Sequence, residues 1–531
     1  MAPPNKTEAS VPGFQGSETT RCEVTIYSHG SDPLLFNNVE GQVPFDGRNA
    51  QSQNPSLVSI STSKTLTGAG TFQISLKQNA EEGESILDTV IDDDWVDLVF
   101  KRHDRVWLVM RGLVDDVRRT RSVGGNGATS TAYTITGRDF QKIWEQTEAW
   151  FNVHNNENAV GAASVRMFNI LENVSGPPDV TVESFLLDFL RELDGFGRAN
   201  WYLPKTMPGI GGKSFAEAVD FRSEGFSGTP LRDGVSPNFM NPSGTLWSLA
   251  KEWSDPGFTE LFCDVGTFFG QANLDDELTP EDATIAVFFR DKPFMVRKST
   301  AAEINLTSLV NETGASDLAG GKDSAWFQLP TFIVPRQQIV NDDLGRSGAE
   351  RLNAFIMAPQ MTDSLIQTGS VELGLPFWNT ADMKRHGMRR YDISSRYVAR
   401  DADIITMSSV QRSLLVDWFC LNPYFLNGTI SLGIARPDIR VGTRIRIPGD
   451  SGNTGLDETF YVEGVSHSWN FTSGGRTTLS VTRGYRDDDA TILELLDDFA
   501  SKFEESSFVP PEKRTSPNPV KDPDPTEISD E

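Results

Sequence analysis

Residues 459–471 read T-F-Y-V-E-G-V-S-H-S-W-N-F, and the phase of their apolar positions decides the fold. Successive side chains of a strand point to opposite faces, so Phe460 and Val462 share one face. Beyond Gly464 the large apolar residues Val465, Trp469 and Phe471 fall on the opposite parity. A phase switch at a glycine predicts a bulge or sharp bend of the kind that curls a small sheet. A turn at Gly474 and Gly475 follows, then T-T-L-S-V-T-R-G-Y-R-D with Gly484. The same plan stands much earlier in the chain: R-V-W-L-V-M-R-G-L-V-D-D-V from Arg105 with Gly112, a turn with Gly124 and Gly125, then S-T-A-Y-T-I-T-G-R-D with Gly137. Each copy leads into a helical pattern, Phe140, Ile143, Trp144, Thr147 and Phe151 in the first and Ile492, Leu495, Leu496, Phe499 and Phe503 in the second, at i, i+3, i+4, i+7 and i+11. An internal repeat of a β unit is therefore expected.

Working outward, T-F-Q-I-S-L at 71–76 alternates, and W-V-D-L-V-F at 95–100 with R-V-W-L-V-M at 105–110 predicts a hairpin around K-R-H-D. The middle changes character. Phe185, Leu186, Phe189, Leu190 and Leu193 share one helix face, and Leu246, Trp247, Ala250 and Trp253 another. The chain divides into a disordered arm (1–20), a first β domain with its exit helix (21–151), an α+β middle domain (152–324) with a loose Gly/Pro-rich loop at 205–240, a second β domain (325–486), a terminal amphipathic helix (487–509) and a disordered acidic tail (510–531).

The 531 residues carry 48 Lys plus Arg against 74 Asp plus Glu, a net charge of −26, too acidic for a protein that grips phosphates by counterion release. Residues 487–531 hold 14 acidic and 4 basic residues, a net of −10, which leaves −16 for the rest. Cys22, Cys263 and Cys420 lie far apart with no C-x-x-C, which argues against a disulfide framework and for a reducing compartment. Neither a secretory signal nor an apolar run long enough to span a bilayer is present, so no membrane anchor is expected. His29, His103, His154, His386 and His467 have no paired ligand spacing. G-G-K-S at 211–214 ends like a phosphate loop, but Met207 stands where its first glycine belongs. The runs at 92–94 and 450–458 do not match a calcium loop, and strand alternation puts Ser466 and His467 on opposite faces. No catalytic, cofactor or metal site is expected, and the chain reads as a non-enzyme.

Five segments in order resemble the baseplate hub proteins at the centre of bacteriophage tails, relatives of the hub portion of type VI secretion spike proteins. They are G-L-V-D-D-V at 112–117 with I-T-G-R-D-F-Q-K at 135–142 (Gly112, Gly137, Arg138, Asp139), L-W-S-L-A-K-E-W with T-E-L-F-C-D, V-F-F-R-D-K-P-F at 287–294 (Arg290, Pro293, Phe294), D-L-G-R-S-G-A-E-R-L-N-A-F at 343–355 (Asn353), and F-Y-V-E-G-V-S-H-S-W with T-T-L-S-V-T-R-G (Gly464, His467, Trp469, Gly484). The resemblance implies a mainly β chain with two tube-like β-barrel domains, closing as a homotrimer into a pseudo-sixfold ring. It further implies a symmetry adapter between the sixfold tail tube protein and the threefold central spike protein, with other baseplate proteins around it. Its place would be the virion tail baseplate, assembled in the host bacterial cytoplasm, and genome DNA would pass through without specific binding. Acidity fits a wall that repels phosphates; it equally fits solubility alone. The rival reading is a tail-associated cell-wall hydrolase or glycan-binding protein with 152–320 as its module and Trp201, Trp247 and Trp253 as candidate contacts.

Overall fold

The computed structural model describes residues 20–28, 32–37, 51–52, 56–79, 86–102, 105–123, 129–149, 186, 190, 203–204, 207–208, 213–224, 244–254, 256–265, 285–306, 318–359, 376–395, 404–449, 456–486 and 489–505. The architecture is mainly β. One 14-stranded sheet runs through both ends of the chain. In the first half the order is Ser56–Thr65, Thr71–Asn79, Thr129–Asp139, Arg105–Val123, Trp95–Arg102, Arg21–Tyr27. In the second half it is Ile339–Gly345, Leu426–Leu432, Gly474–Arg486, Glu458–Asn470, Arg444–Ile447, Thr331–Ile333. The sixth strand differs, antiparallel to the fifth in the first half and parallel in the second.

The repeat reaches the bulges. Glu458–Asn470 and Gly474–Arg486 slip register between Val462 and Gly464, so Glu463 is the extra residue. Arg105–Val123 and Thr129–Asp139 slip between Val114 and Asp116, so Asp115 is extra. A second bulge also recurs, at Val58 against Thr71–Asn79 and at Val340 against Leu426–Leu432. The bulge at Glu463 accounts for the phase switch: Phe460, Val462, Val465 and Trp469 are all buried, with Ser466 and Ser468 on the other side. Phe471, expected with them, is exposed, because it lies past the end of its strand.

Each half has its own apolar core, one around Val24, Ile74, Phe100 and Ile135, the other around Ile430, Ile445, Phe460 and Leu479. Between them Val219–Glu224, Ile285–Asp291 and Thr259–Val265 form a three-stranded sheet, with Ile285–Asp291 buried at every position. Its core gathers around Trp144, which lies 4.8 Å from Phe215 and stacks on Trp247 at 5.9 Å, its indole N–H donating to the Leu190 carbonyl at 3.0 Å.

Several local expectations change. The first exit helix is short, Lys142–Gln146, and ends at Thr147, the polar residue of its apolar stripe. Phe151 lies outside the described residues, as do the first arm up to residue 19, Gly124, Gly125 and the tail from residue 506. The terminal helix spans Asp489–Ala500 and buries Ile492 and Leu496. The hairpin at 95–110 is tighter than expected, because Arg102 already pairs with Arg105. The segment 205–240 is not a loop throughout: Phe215–Ala218 is helical and Val219–Glu224 is a strand parallel to Ile285–Asp291. Ser214, read as the end of a failed phosphate loop, is the N-cap of that helix in a reciprocal capping box with Glu217. Leu186 and Leu190 are helical and buried; Phe185, Phe189 and Leu193 lie outside the described residues.

Candidate functional site

The halves meet edge to edge. Glu458–Asn470 of the second half pairs antiparallel with Ser56–Thr65 of the first, from Gly464 opposite Thr65 to Asn470 opposite Ser59. On the side away from the cores, directly opposed residues form rows across both halves. One row runs Ser431, Thr478, Ser466, Ser63, Thr71, Arg138; another runs Arg476, Ser468, Ser61, Gln73, Thr136, Asp116; a third runs Asn470, Ser59, Ser75, Thr134, Arg118. This face is hydroxyl-rich because only alternate positions of each strand were required to be apolar. Neighbouring hydroxyls bond to one another, Ser466 to Ser63 at 3.1 Å and Ser431 to Thr478 at 3.4 Å. Its arginines near the first bulge are paired, Arg118 with Asp116 and Arg138 with Asp115 at 3.0 Å and Glu145 at 3.3 Å. A hollow of about 580 Å³ lies on this face, among Ser61, Ser63, Gln73, Thr136, Arg138 and Ser468.

The singled-out residues fall into three groups, none of them a catalytic arrangement. Gly112 and Gly137 sit where strands crowd. A side chain at Gly112 would strike the Arg138 carbonyl, and one at Gly137 would strike the Leu113 carbonyl and the Phe72 ring directly opposite. Gly484 lies in the same way under Phe460, whereas at Gly464 the crowding is milder, with Ser480 Cβ and the Lys64 carbonyl 3.2 and 3.3 Å from where a side chain would start. Gly137→Ala is expected to cost about 1–3 kcal/mol through overpacking; an unchanged denaturation midpoint would contradict the crowding.

The second group is a buried charge cluster joining both halves to the middle sheet. Lys64 pairs with Asp264 at 2.8 Å, Arg440 approaches the same carboxylate at 3.6 Å, and Asp139 lies close by. Burial pulls Asp264 upward, but Lys64 and Arg440 outweigh it and hold it below the usual carboxylate range. Asp139, accepting from the Gly70 and Gln141 amides at 2.9 and 3.1 Å, is pushed up to about 6 by burial. His467, 2.9 Å from the Thr477 hydroxyl, is held neutral to about 3 by burial and by Arg440. Trp469 donates from Nε1 to the Thr20 carbonyl at 2.7 Å.

In the third group, Arg290 is buried and donates to Glu260 at 2.9 and 2.7 Å, to the Gly442 carbonyl at 2.9 Å and to the Tyr461 hydroxyl at 2.9 Å. Pro293 and Phe294 are buried beyond it, Phe294 meeting Trp418 edge to face at 5.4 Å. Asn353 ties a bend together: it donates to Asp382 and the Gly387 carbonyl at 2.9 and 2.8 Å and accepts from the Arg389 amide at 2.7 Å. Sequence reasoning missed Lys64, Asp264 and Arg440. It also missed Arg483, which takes a left-handed φ of 52° and stacks 3.5 Å over Trp418. Trp247, a candidate glycan contact, is core; the side chains of Trp201 and Trp253 lie outside the described residues. The three cysteines are buried and unpaired, and among the described residues no group of three or more His, Cys, Asp and Glu is placed to hold a metal.

These shifts set a pH dependence. Asp139 and Asp417, the latter also raised to about 6 by burial, bind protons in the fold near pH 6 but near ~3.9 when unfolded. Their contribution is present below the unfolded value and is lost as pH rises through 6. His467 acts oppositely, because the unfolded ring titrates near ~6.5 and the folded one near 3. Between pH 6 and about 4.8 Asp139 and Asp417 favour the fold as pH falls and His467 opposes it, while Asp264, held low in the fold, turns against it only as pH nears the unfolded value of ~3.9. Thermal unfolding followed by circular dichroism is expected to hold or rise on going from about pH 6 to about pH 4.8. A steady fall over that interval would contradict the assignment.

No protein-family profile matches the chain, and no curated protein matches it. Among solved structures, it is similar to the tail protein from Neisseria meningitidis MC58 (TM-score 0.42, 12% identity, covering 87% of this chain and 96% of that one). It is also similar to the prophage MuSo2 43 kDa tail protein from Shewanella oneidensis (0.42, 11%, 87% and 98%). A third is the E. coli c3393 protein, a type VI secretion component with structural similarity to the T4 tail proteins gp27 and gp5 (0.37, 9%, 83% and 78%). These three are two tail proteins, one of them from a prophage, and a type VI secretion component, each aligned with most of this chain at low identity.

Proposed function

We propose that this chain is a structural hub of a phage tail, and that three copies close edge to edge into a ring of six matching halves. The observation that carries this reading is the duplicated half-sheet, bulges included, already joined to its twin through Ser56–Thr65 and Glu458–Asn470. A unit that repeats twice per chain lets a threefold assembly present six equivalent positions, which suits an adapter between a sixfold tail tube and a threefold spike. Other baseplate proteins would dock on its outside, at the virion tail, after assembly in the host cytoplasm.

The hydroxyl face is the proposed channel wall. Of its arginines, Arg138 is paired with Asp115 and Arg118 with Asp116, which lowers the cationic charge that a passing phosphate backbone meets there. Asp116 is the one carboxylate in the three rows, so sliding would rest on hydroxyl solvation more than on repulsion. Electron microscopy of the purified protein is expected to give six-lobed rings with a central opening that retain no duplex DNA in a filter assay. Compact single particles, or retained DNA, would overturn the reading, and clearing of peptidoglycan in a zymogram would favour the hydrolase instead.

A further inference from the structure

The internal junction is a template for a second one. Glu458–Asn470 is shared along its length: Arg444–Ile447 pairs with its residues 458–461, before the bulge, and Ser56–Thr65 with residues 464–470, after it. Its counterpart Arg105–Val123 is paired with Trp95–Arg102 up to Leu113. Beyond its own bulge, residues 116–123 have no strand on the same edge among the described residues, and Arg118, Arg119, Thr120 and Arg121 are exposed. The counterpart of Ser56–Thr65 is Ile339–Gly345, an edge strand of the sheet that is exposed along most of its length. Among the described residues each half thus leaves one edge unpaired, and one of each kind is used inside the chain.

We propose that the two remaining edges pair between copies of this chain, and that the bulges fix the register. Asp115 corresponds to Glu463 and Val58 to Val340. Residues 116–122 therefore correspond to 464–470, and 341–345 to 59–63. Transferring the internal pairs Ser466 with Ser63, His467 with Thr62, Ser468 with Ser61, Trp469 with Ile60 and Asn470 with Ser59 puts Arg118 opposite Gly345 of the next copy. It likewise puts Arg119 opposite Leu344, Thr120 opposite Asp343, Arg121 opposite Asp342 and Ser122 opposite Asn341. Two features not used in the alignment agree. The first edge is basic, D-V-R-R-T-R-S-V, and the second acidic, I-V-N-D-D-L-G, so the contact is complementary and resists like-with-like pairing. Val123 and Val340 are exposed to 70% and 69%, and they are the counterparts of Phe471 and Val58, whose backbones bond at 3.0 Å in the internal junction. The contact is head to tail, as a closed ring requires.

This rests on the ring reading but is separately testable. In the full chain, Arg121→Cys with Asp342→Cys would place two thiols in directly opposed positions, ~4.5–5.5 Å between Cα atoms, within disulfide range. Seven strand steps of ~4.8 Å separate these strands inside one chain, so only a bond between chains can form. The expected result on a non-reducing gel is covalent multimers ending at three chains. Arg121→Cys with Asn341→Cys, one residue out of register and on the other face, should give none. Asp342→Arg should weaken assembly about tenfold, with Arg121→Asp in the same chain restoring it. Multimers by light scattering with no cross-link, or equal cross-linking by both cysteine pairs, would overturn this pairing and leave the ring standing. A monomer under all conditions would overturn both.

Discussion

Arg290→Ala is expected to lower the free energy of unfolding by about 3–5 kcal/mol, the range for removing one partner of a buried charge pair. The guanidinium holds Glu260 of the middle sheet, the Gly442 carbonyl and Tyr461 of the second half, and lies 5.1 Å over Phe262. Without it the Glu260 carboxylate keeps only the Tyr461 hydroxyl at 2.9 Å among these partners. Arg290→Lys should recover only part of the loss, because a compact ammonium cannot reproduce the planar fork that reaches one Glu260 oxygen twice, the Gly442 carbonyl and the Tyr461 hydroxyl. Chemical denaturation followed by tryptophan fluorescence measures this, and a loss below about 1 kcal/mol would remove Arg290 from the seam between the two parts.

Lys64→Ala should be of similar size, about 3–5 kcal/mol, by leaving Asp264 buried with only Arg440 at 3.6 Å to balance it. The control is the double variant Lys64→Met with Asp264→Leu, which removes both charges and should regain most of the stability. Failure of the double variant to recover would mean that packing around the Lys64 stem, not the charge, holds the first half to the middle sheet.

The parts legible in the sequence are those where burial writes a local pattern. The bulge beside Gly464 was readable because Val462 and Val465 both had to reach the core, and the terminal helix because Ile492 and Leu496 recur on one face. The junction was not readable. In S-L-V-S-I-S-T-S-K-T the buried side after Ile60 carries Thr62 and Lys64, so the strand looks polar throughout, and its partner lies at the far end of the chain. Lys64 belongs inside only because Asp264 waits there, a pairing that no spacing announces. The capping box at Ser214 and Glu217 had a local signal that the phosphate-loop comparison masked. Phe471 was placed in the core by parity, yet it sits beyond the last ladder pair, where parity no longer constrains it.

The hydroxyl face gives the charge a narrower meaning. Of the net −26, −10 belongs to residues 487–531, which leaves the body only moderately acidic, and the rows across the sheet are Ser and Thr with paired arginines beside the first bulge.

The central claim is that the edges left open in one chain are closed by others. Light scattering on the purified full chain at about micromolar concentration is the most direct measurement, since obligate edge pairing would make the assembled state the stable one. The account predicts a mass three times the 58.6 kDa of a single chain. A stable 58.6 kDa particle that persists as concentration is raised would contradict it.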